Sequence, residues 1–90
     1  MDALLGIDIG TTNIKVNAYS LQGAPLAQAS QPTPTRREGA RYATDDPVTL
    51  WLATSAAIRQ VTAQLPGRVA GLAIASVGEA GVPLDAHDQP

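Results

Sequence analysis

The apolar and polar positions change rhythm several times along the chain. Leu4-Leu5-Gly6-Ile7-Asp8-Ile9 is a short apolar run broken by one carboxylate, and it ends in the turn formers Gly10-Thr11-Thr12-Asn13. Ile14-Lys15-Val16-Asn17-Ala18-Tyr19 then alternates with the period of a strand that buries one face. A tight four-residue connection between two such segments predicts an antiparallel hairpin. Gln22-Gly23 supplies a second turn, and Pro25 through Ser30 fits a third strand weakened by its alanines and its leading proline. From Gln31 to Asp45 the periodicity fails among Pro32, Pro34, Arg36, Arg37, Glu38, Gly39 and Arg41, which predicts a loop. That stretch holds three of the six basic residues, and a solvated loop outweighs an anion site there.

Asp46-Pro47 reads as a helix N-cap and first helical residue. The carboxylate can accept from orphan amides, and proline at the first position loses no hydrogen bond. The helix is expected to run to about Leu65 and to stop at Pro66-Gly67. Val48, Trp51, Leu52, Ser55, Ile58 and Leu65 fall on one stripe, the expected buried face, and Trp51 reads as core rather than as a stacking surface. Val69 to Ala75 is a near-continuous apolar run, as for a strand covered on both faces. Gly78 and Gly81 break it, and Val82-Pro83-Leu84 could begin another strand. Asp85 and Asp88 are turn formers, and His87 is an exposed turn residue without an assigned role. The order is strand, strand, strand, helix, strand: a mixed α/β sheet with a helix packed on it.

Composition narrows the function. Ninety residues are one domain at most, and the net charge of −2 argues against a nucleic-acid partner. Without cysteine there is no disulfide, thiolate zinc site or thiol nucleophile. A lone histidine excludes a His-rich metal site, and no run approaches the roughly 18 apolar residues of a membrane span. The acidic Met1-Asp2 start does not resemble a signal peptide, so a cytoplasmic chain is expected. Leu, Ile and Val make up 20 residues, 22% of the chain, so the core is small. The chain reads as foldable but marginal alone, a hint that it belongs to something larger.

The most informative stretch is Asp8-Ile9-Gly10-Thr11-Thr12. A carboxylate inside an apolar strand is costly unless it finds a metal, a cation or several donors. Gly10 permits a tight turn and close backbone approach to a ligand. Successive amides and two hydroxyls could form a concave donor site for phosphate oxygens. Asp8 would repel phosphate directly, so a divalent cation with water belongs between them. Lys15, just beyond, could add positive charge to the same phosphate. The plain alternative is a hairpin turn capped by threonine.

Leu5-Gly6-Ile7-Asp8-Ile9-Gly10-Thr11-Thr12-Asn13-Ile14-Lys15 resembles the first phosphate motif of the FGGY carbohydrate kinases. Those enzymes share the actin/Hsp70/sugar-kinase fold with its ribonuclease H-like core. Leu21-Gln22-Gly23 is similar to the family's second hairpin turn. Tyr42 to Pro47, followed by Trp51, is similar to its aromatic-x-x-x-Asp-Pro lead into the first helix. Val69 to Ala75 resembles the next strand, and Leu84-Asp85 the end of the one after. The likeness runs in order through nearly all of the chain. It implies that residues 1–90 are the N-terminal portion of the first kinase domain, an incomplete piece of the actin-like ATPase fold.

The resemblance implies that Asp8 holds the magnesium of MgATP, directly or through water. Gly10, Thr11 and Thr12 would form the turn against the nucleotide phosphates, with Lys15 near the transferred phosphate. A small sugar or polyol would bind partly through Ser76-Val77-Gly78-Glu79-Ala80-Gly81, with Gly78 and Glu79 as its contacts. That segment has none of the Gln-Met-His-Gly of xylulokinase-like members. Of the Gln-Arg-Glu of glycerol kinase-like members it keeps only Glu79. The departure leaves the substrate open, and Glu79 has a solvated-loop reading besides. The catalytic base and the adenosine pocket would lie downstream of residue 90, so no catalytic residue is expected here and the chain alone is expected to be inactive. Homodimerisation of the whole enzyme is left open. A nucleotide-switch protein of the same fold and a non-catalytic fragment are the other readings. Asp46-Pro47 and Trp51 favour the kinase branch over the former.

Overall fold

A computed structural model describes residues 2–38, 42–76 and 84–89. The first strand, β1 (Ala3–Ile9), alternates buried and open positions: Ala3, Leu5 and Ile7 point inward while Leu4 and Asp8 point to solvent. The second, β2 (Asn13–Ser20), does the same, with Ile14, Val16, Ala18 and Ser20 buried. They pair antiparallel with Leu5 opposite Ala18 and Ile7 opposite Val16, so the two apolar sets meet on one face. The expected hairpin is therefore present.

The third strand, β3 (Pro25–Pro32), joins β2 through a turn at Leu21-Gln22-Gly23. Gly23 has φ +89°, a left-handed conformation in which other residues are strained. Buried Ser20 holds this turn together. Its carbonyl accepts from the Gly23 amide at 2.9 Å, and its hydroxyl accepts from Gln22 N at 3.3 Å and Ala24 N at 3.1 Å.

The chain from Gln31 to Asp45 departs from the expected loop. It contains a short antiparallel hairpin, β4 (Thr35–Glu38) with β5 (Tyr42–Asp45), which pairs Thr35 with Asp45 and Glu38 with Tyr42. Strands of four residues are too short to show a period, and their polar composition hid them. The helix α1 (Pro47–Thr62) begins as expected: Asp46 accepts from Val48 N at 3.3 Å and from the Thr49 hydroxyl at 2.6 Å. It ends three residues before Leu65, because Gln64 N and Leu65 N bond to the carbonyls three residues back, of Val61 and Thr62, in a closing turn. The last strand, β6 (Val69–Ser76), runs parallel to β1, giving a four-stranded sheet in the order β3-β2-β1-β6.

The helix lies across β3 and β2 on the inward face. It buries Thr54, Ala57 and Val61; of the expected stripe Ile58 and Leu65 pack against the core, half-buried, while Val48, Trp51 and Leu52 are exposed, Trp51 by 61%. Size explains the difference. Ala18 and Ala29 line the sheet beneath, and small side chains on both sides let the helix come close. Val48, Trp51 and Leu52 thus mark the wrong face, and Trp51 is not core among the described residues. Val61, fully buried, supplies about 1.5–3 kcal/mol of that contact.

Strand β6 also departs from expectation. It shares its inward face with Leu5 and Ile7 through Leu72 and Ile74, yet these are 57% and 60% exposed. The helix does not reach so far across the sheet, so among the described residues Leu72 and Ile74 lie open and only Val69, at the start of β6, packs against the core. Of Val82-Pro83-Leu84 only Leu84 is described, outside any strand, and the rest lies beyond the described residues. Asp85 does form a turn: its carboxylate accepts from His87 N at 2.8 Å and Gln89 N at 3.0 Å.

In the 90-residue chain, Ala57→Leu forces a branched side chain into the helix–sheet contact and is expected to cost about 1–3 kcal/mol. Trp51→Ala is expected to stay within about 0.5 kcal/mol of the parent. Urea denaturation of both variants checks this, and equal losses would mean that the helix meets the sheet with its other side.

Candidate phosphate-binding site

The site is built at one end of the sheet, where β1 and β6 both finish. The parallel register sets Ile9 beside Ser76, so the turn after β1 and the segment after β6 leave from neighbouring points. In open α/β sheets ligands collect outside the carboxyl ends of parallel strands.

Asp8 stands one residue before the end of β1, on the uncovered face, and is exposed. Water takes the place of the buried partner that an apolar strand would have demanded. Register places Lys15 directly across from it on β2, Ser30 beyond Lys15 on β3, and Ala75 on its other side on β6. Directly opposed residues in such a pair lie about 4.5–5.5 Å apart at Cβ. The carboxylate and the ammonium nevertheless do not close on each other. The one ion pair among the described residues is Arg68 Nε with Asp2 Oδ1, at 3.5 Å and well exposed. Asp8 and Lys15 thus present opposite charges side by side. A shallow groove bordered by Gly6, Asp8, Asn17, Ala73 and Ala75 runs along β1 and β6 from this point.

The turn has a tighter geometry than its sequence suggests. The Gly10 amide donates to Asn13 O at 2.9 Å, so it is used inside the turn and is not free for a ligand. Glycine is required there for space. A Cβ at Gly10 would lie 2.8 Å from Asn13 O, closer than real contacts allow. The outward donors are the amides and hydroxyls of Thr11 and Thr12, both exposed, with no bond to other described residues.

Thr33, just past β3, was not singled out by sequence. Its hydroxyl donates to Gly10 O at 2.7 Å and its amide to Thr12 O at 2.9 Å. The available signal was Pro32-Thr33-Pro34, in which threonine carries the sole amide proton and the sole hydroxyl. Asp8, Gly10, Thr11, Thr12 and Lys15 are therefore brought together. Gly78 and Glu79 lie outside the described residues. Among the described residues no three His, Asp or Glu cluster to hold a metal, and no helix is long and apolar enough to cross a membrane.

Residues 3–90 match the FGGY family of carbohydrate kinases, N-terminal domain, and the chain belongs to that family. It is 32% identical over 82 residues to a glycerol kinase of Citrifermentans bemidjiense, covering 88% of this chain and 17% of that protein. Its fold superimposes on a xylulose kinase from Lactobacillus acidophilus with a TM-score of 0.91 at 25% identity, over 99% of this chain and 18% of that one. A gluconate kinase from Lactobacillus acidophilus gives the same TM-score of 0.91 at 25% identity, over 98% and 18%. The four-stranded mixed sheet with its helix is thus a fragment of the sugar-kinase, actin-like ATPase fold. The chain spans less than a fifth of the length of these relatives.

Gly10→Ala is expected to destabilise the chain by about 1–3 kcal/mol, because the turn must open to accept the methyl group. Thermal melting of the variant checks this; an unchanged midpoint would mean that the turn is looser than described.

Proposed function

We propose that this chain is the N-terminal part of a kinase that transfers the γ-phosphoryl group of ATP to a hydroxyl of a small sugar or polyol. The observation that carries the reading is Asp8 set beside Lys15, one residue short of the Gly10–Thr12 turn, at the carboxyl end of a central strand. Thr11 and Thr12 donate to phosphate oxygens from the tip of the turn. Lys15 offsets negative charge on the same phosphates. Asp8 alone fits magnesium of the kind that keeps most of its shell as phosphate oxygens and water and takes one or two carboxylates. Such an ion, when bound, neutralises charge on the phosphates during transfer. The base that takes the proton from the sugar hydroxyl, and the adenosine pocket, belong to the parts of the enzyme beyond this chain.

On the substrate side the reading assigns Glu79, with Gly78 leaving room beside it. Ser76, the last described residue before them, ends a strand parallel to β1, and this supports a place at the same cleft. A carboxylate accepting from two neighbouring hydroxyls is suitable chemistry for a polyol.

In the whole enzyme, Asp8→Ala is expected to abolish turnover while weakening sugar binding much less. Near-normal turnover at saturating MgATP would remove the metal role. Glu79→Gln is expected to raise the sugar KM about 10- to 150-fold, the worth of one charged hydrogen bond, and to leave the ATP KM little changed. Steady-state kinetics with both substrates varied reads this. An unchanged sugar KM returns Glu79 to a solvated loop, and an effect confined to ATP moves it to the nucleotide side.

A further inference from the structure

We propose that Thr33 is a positioning residue for the phosphate-binding turn: it fixes two peptide planes of the turn from behind and so aims the Thr11 amide at the ligand. The inference rests on the phosphate reading of the turn. One residue bonds two carbonyls of the same loop, Thr33 Oγ1 to Gly10 O at 2.7 Å and Thr33 N to Thr12 O at 2.9 Å.

A peptide unit is planar and trans, so its carbonyl and the following amide point in opposite directions. No cis bond occurs among the described residues. Holding Gly10 O against Thr33 therefore turns the Thr11 N–H away from Thr33. Holding Thr12 O in the same way sets the plane between Thr12 and Asn13. The Gly10 amide is already taken by Asn13 O. With both ends held, the exposed threonines are the part of the turn left to meet a ligand.

The sequence makes Thr33 a fixed anchor. Pro32 and Pro34 flank it and lock φ on both sides, and neither has an amide proton that could compete for the carbonyls. Thr33 comes directly after β3, and Pro32 is in register with Asn13 at the start of β2. The clasp is therefore tied to the sheet rather than to a free loop. A turn aimed in advance loses less freedom when phosphate binds, which is where the gain in affinity arises. Among the described residues Thr33 bonds only the turn, so its effect is expected on the nucleotide.

The test uses the whole enzyme with MgATP and a sugar substrate both varied. Thr33→Val keeps the shape and the amide but removes the hydroxyl; Thr33→Ser keeps the hydroxyl. The valine variant should raise the ATP KM about 3- to 10-fold, in line with loss of a neutral hydrogen bond, with the sugar KM unchanged. Serine should restore it to within about 2-fold. A wild-type ATP KM in the valine variant overturns the proposal, as does a serine variant as impaired as valine. Equal rises in both KM values would also overturn it, in favour of a purely structural role. If the valine variant does not fold, Thr33→Cys, a weaker donor, is compared with serine on the same terms. Asp8→Asn, run in parallel, separates the layers. If it abolishes turnover while Thr33→Val is silent, only the positioning role fails. If it too leaves turnover intact, the metal role of Asp8 falls as well, and with it the reading on which the positioning role rests.

Discussion

Strand β1 is hydrogen-bonded along both edges, antiparallel to β2 and parallel to β6, and its register governs everything else. Side chains alternate along a strand, so a slip of one residue exchanges the two faces completely. In the observed register Leu5 and Ile7 meet Val16 and Ala18 under the helix, while Asp8 stands outside next to Lys15. The slipped alternative would expose Leu5 and Ile7 and drive Asp8 into the core. An unpaired buried carboxylate costs several kcal/mol, a large share of the stability of a domain this small. The core and the candidate site are therefore set by one constraint: the apolar pattern that makes the sheet fold also holds the charge at the surface.

The helix contact arises from the same economy of space. With Ala18, Ala27 and Ala29 on the sheet, only a helix face of small residues can approach closely, and Thr54, Ala57 and Val61 provide it. The core reaches the inward side chains of β1 but not Leu72 and Ile74 of β6, which carry apolar surface outward on the helix side of the sheet. Trp51 and Leu52 do the same from the helix. These apolar side chains lie on the surface of the described residues because the one helix is narrower than the four-stranded sheet.

Much of this was legible in the residues. The two hairpins, the Asp46-Pro47 start of α1 and the last strand can be read from turn chemistry and period, which are local properties. What failed was non-local. Which face of α1 is buried depends on the alanines of β2 and β3, and summing large apolar side chains on the helix alone selects Val48, Trp51 and Leu52 instead. Whether β6 is covered depends on elements packed over it, not on its own apolar run. The hairpin of β4 and β5 escaped because four residues hold too few repeats to reveal alternation. At the site, Asp8, Gly10, Thr11, Thr12 and Lys15 were visible as one motif, since a hairpin brings neighbours in sequence together. Thr33 lies more than twenty residues from Gly10, and only the pairing of β2 with β3 shows that it meets the turn.

A frame of this kind can serve different chemistries. Relatives named for xylulose and gluconate keep this backbone at 25% identity. A backbone so closely shared cannot itself distinguish those compounds. The turn at Gly10–Thr12 is constrained by sterics, since even a methyl group at Gly10 meets Asn13 O, and by its ties to Thr33. In the parallel ladder Ile9 pairs with Ser76, so the turn starts beside the last described residue of β6. The turn is thus held by the fold from two sides, by the lack of space at Gly10 and by the tie through Thr33 to the end of β3.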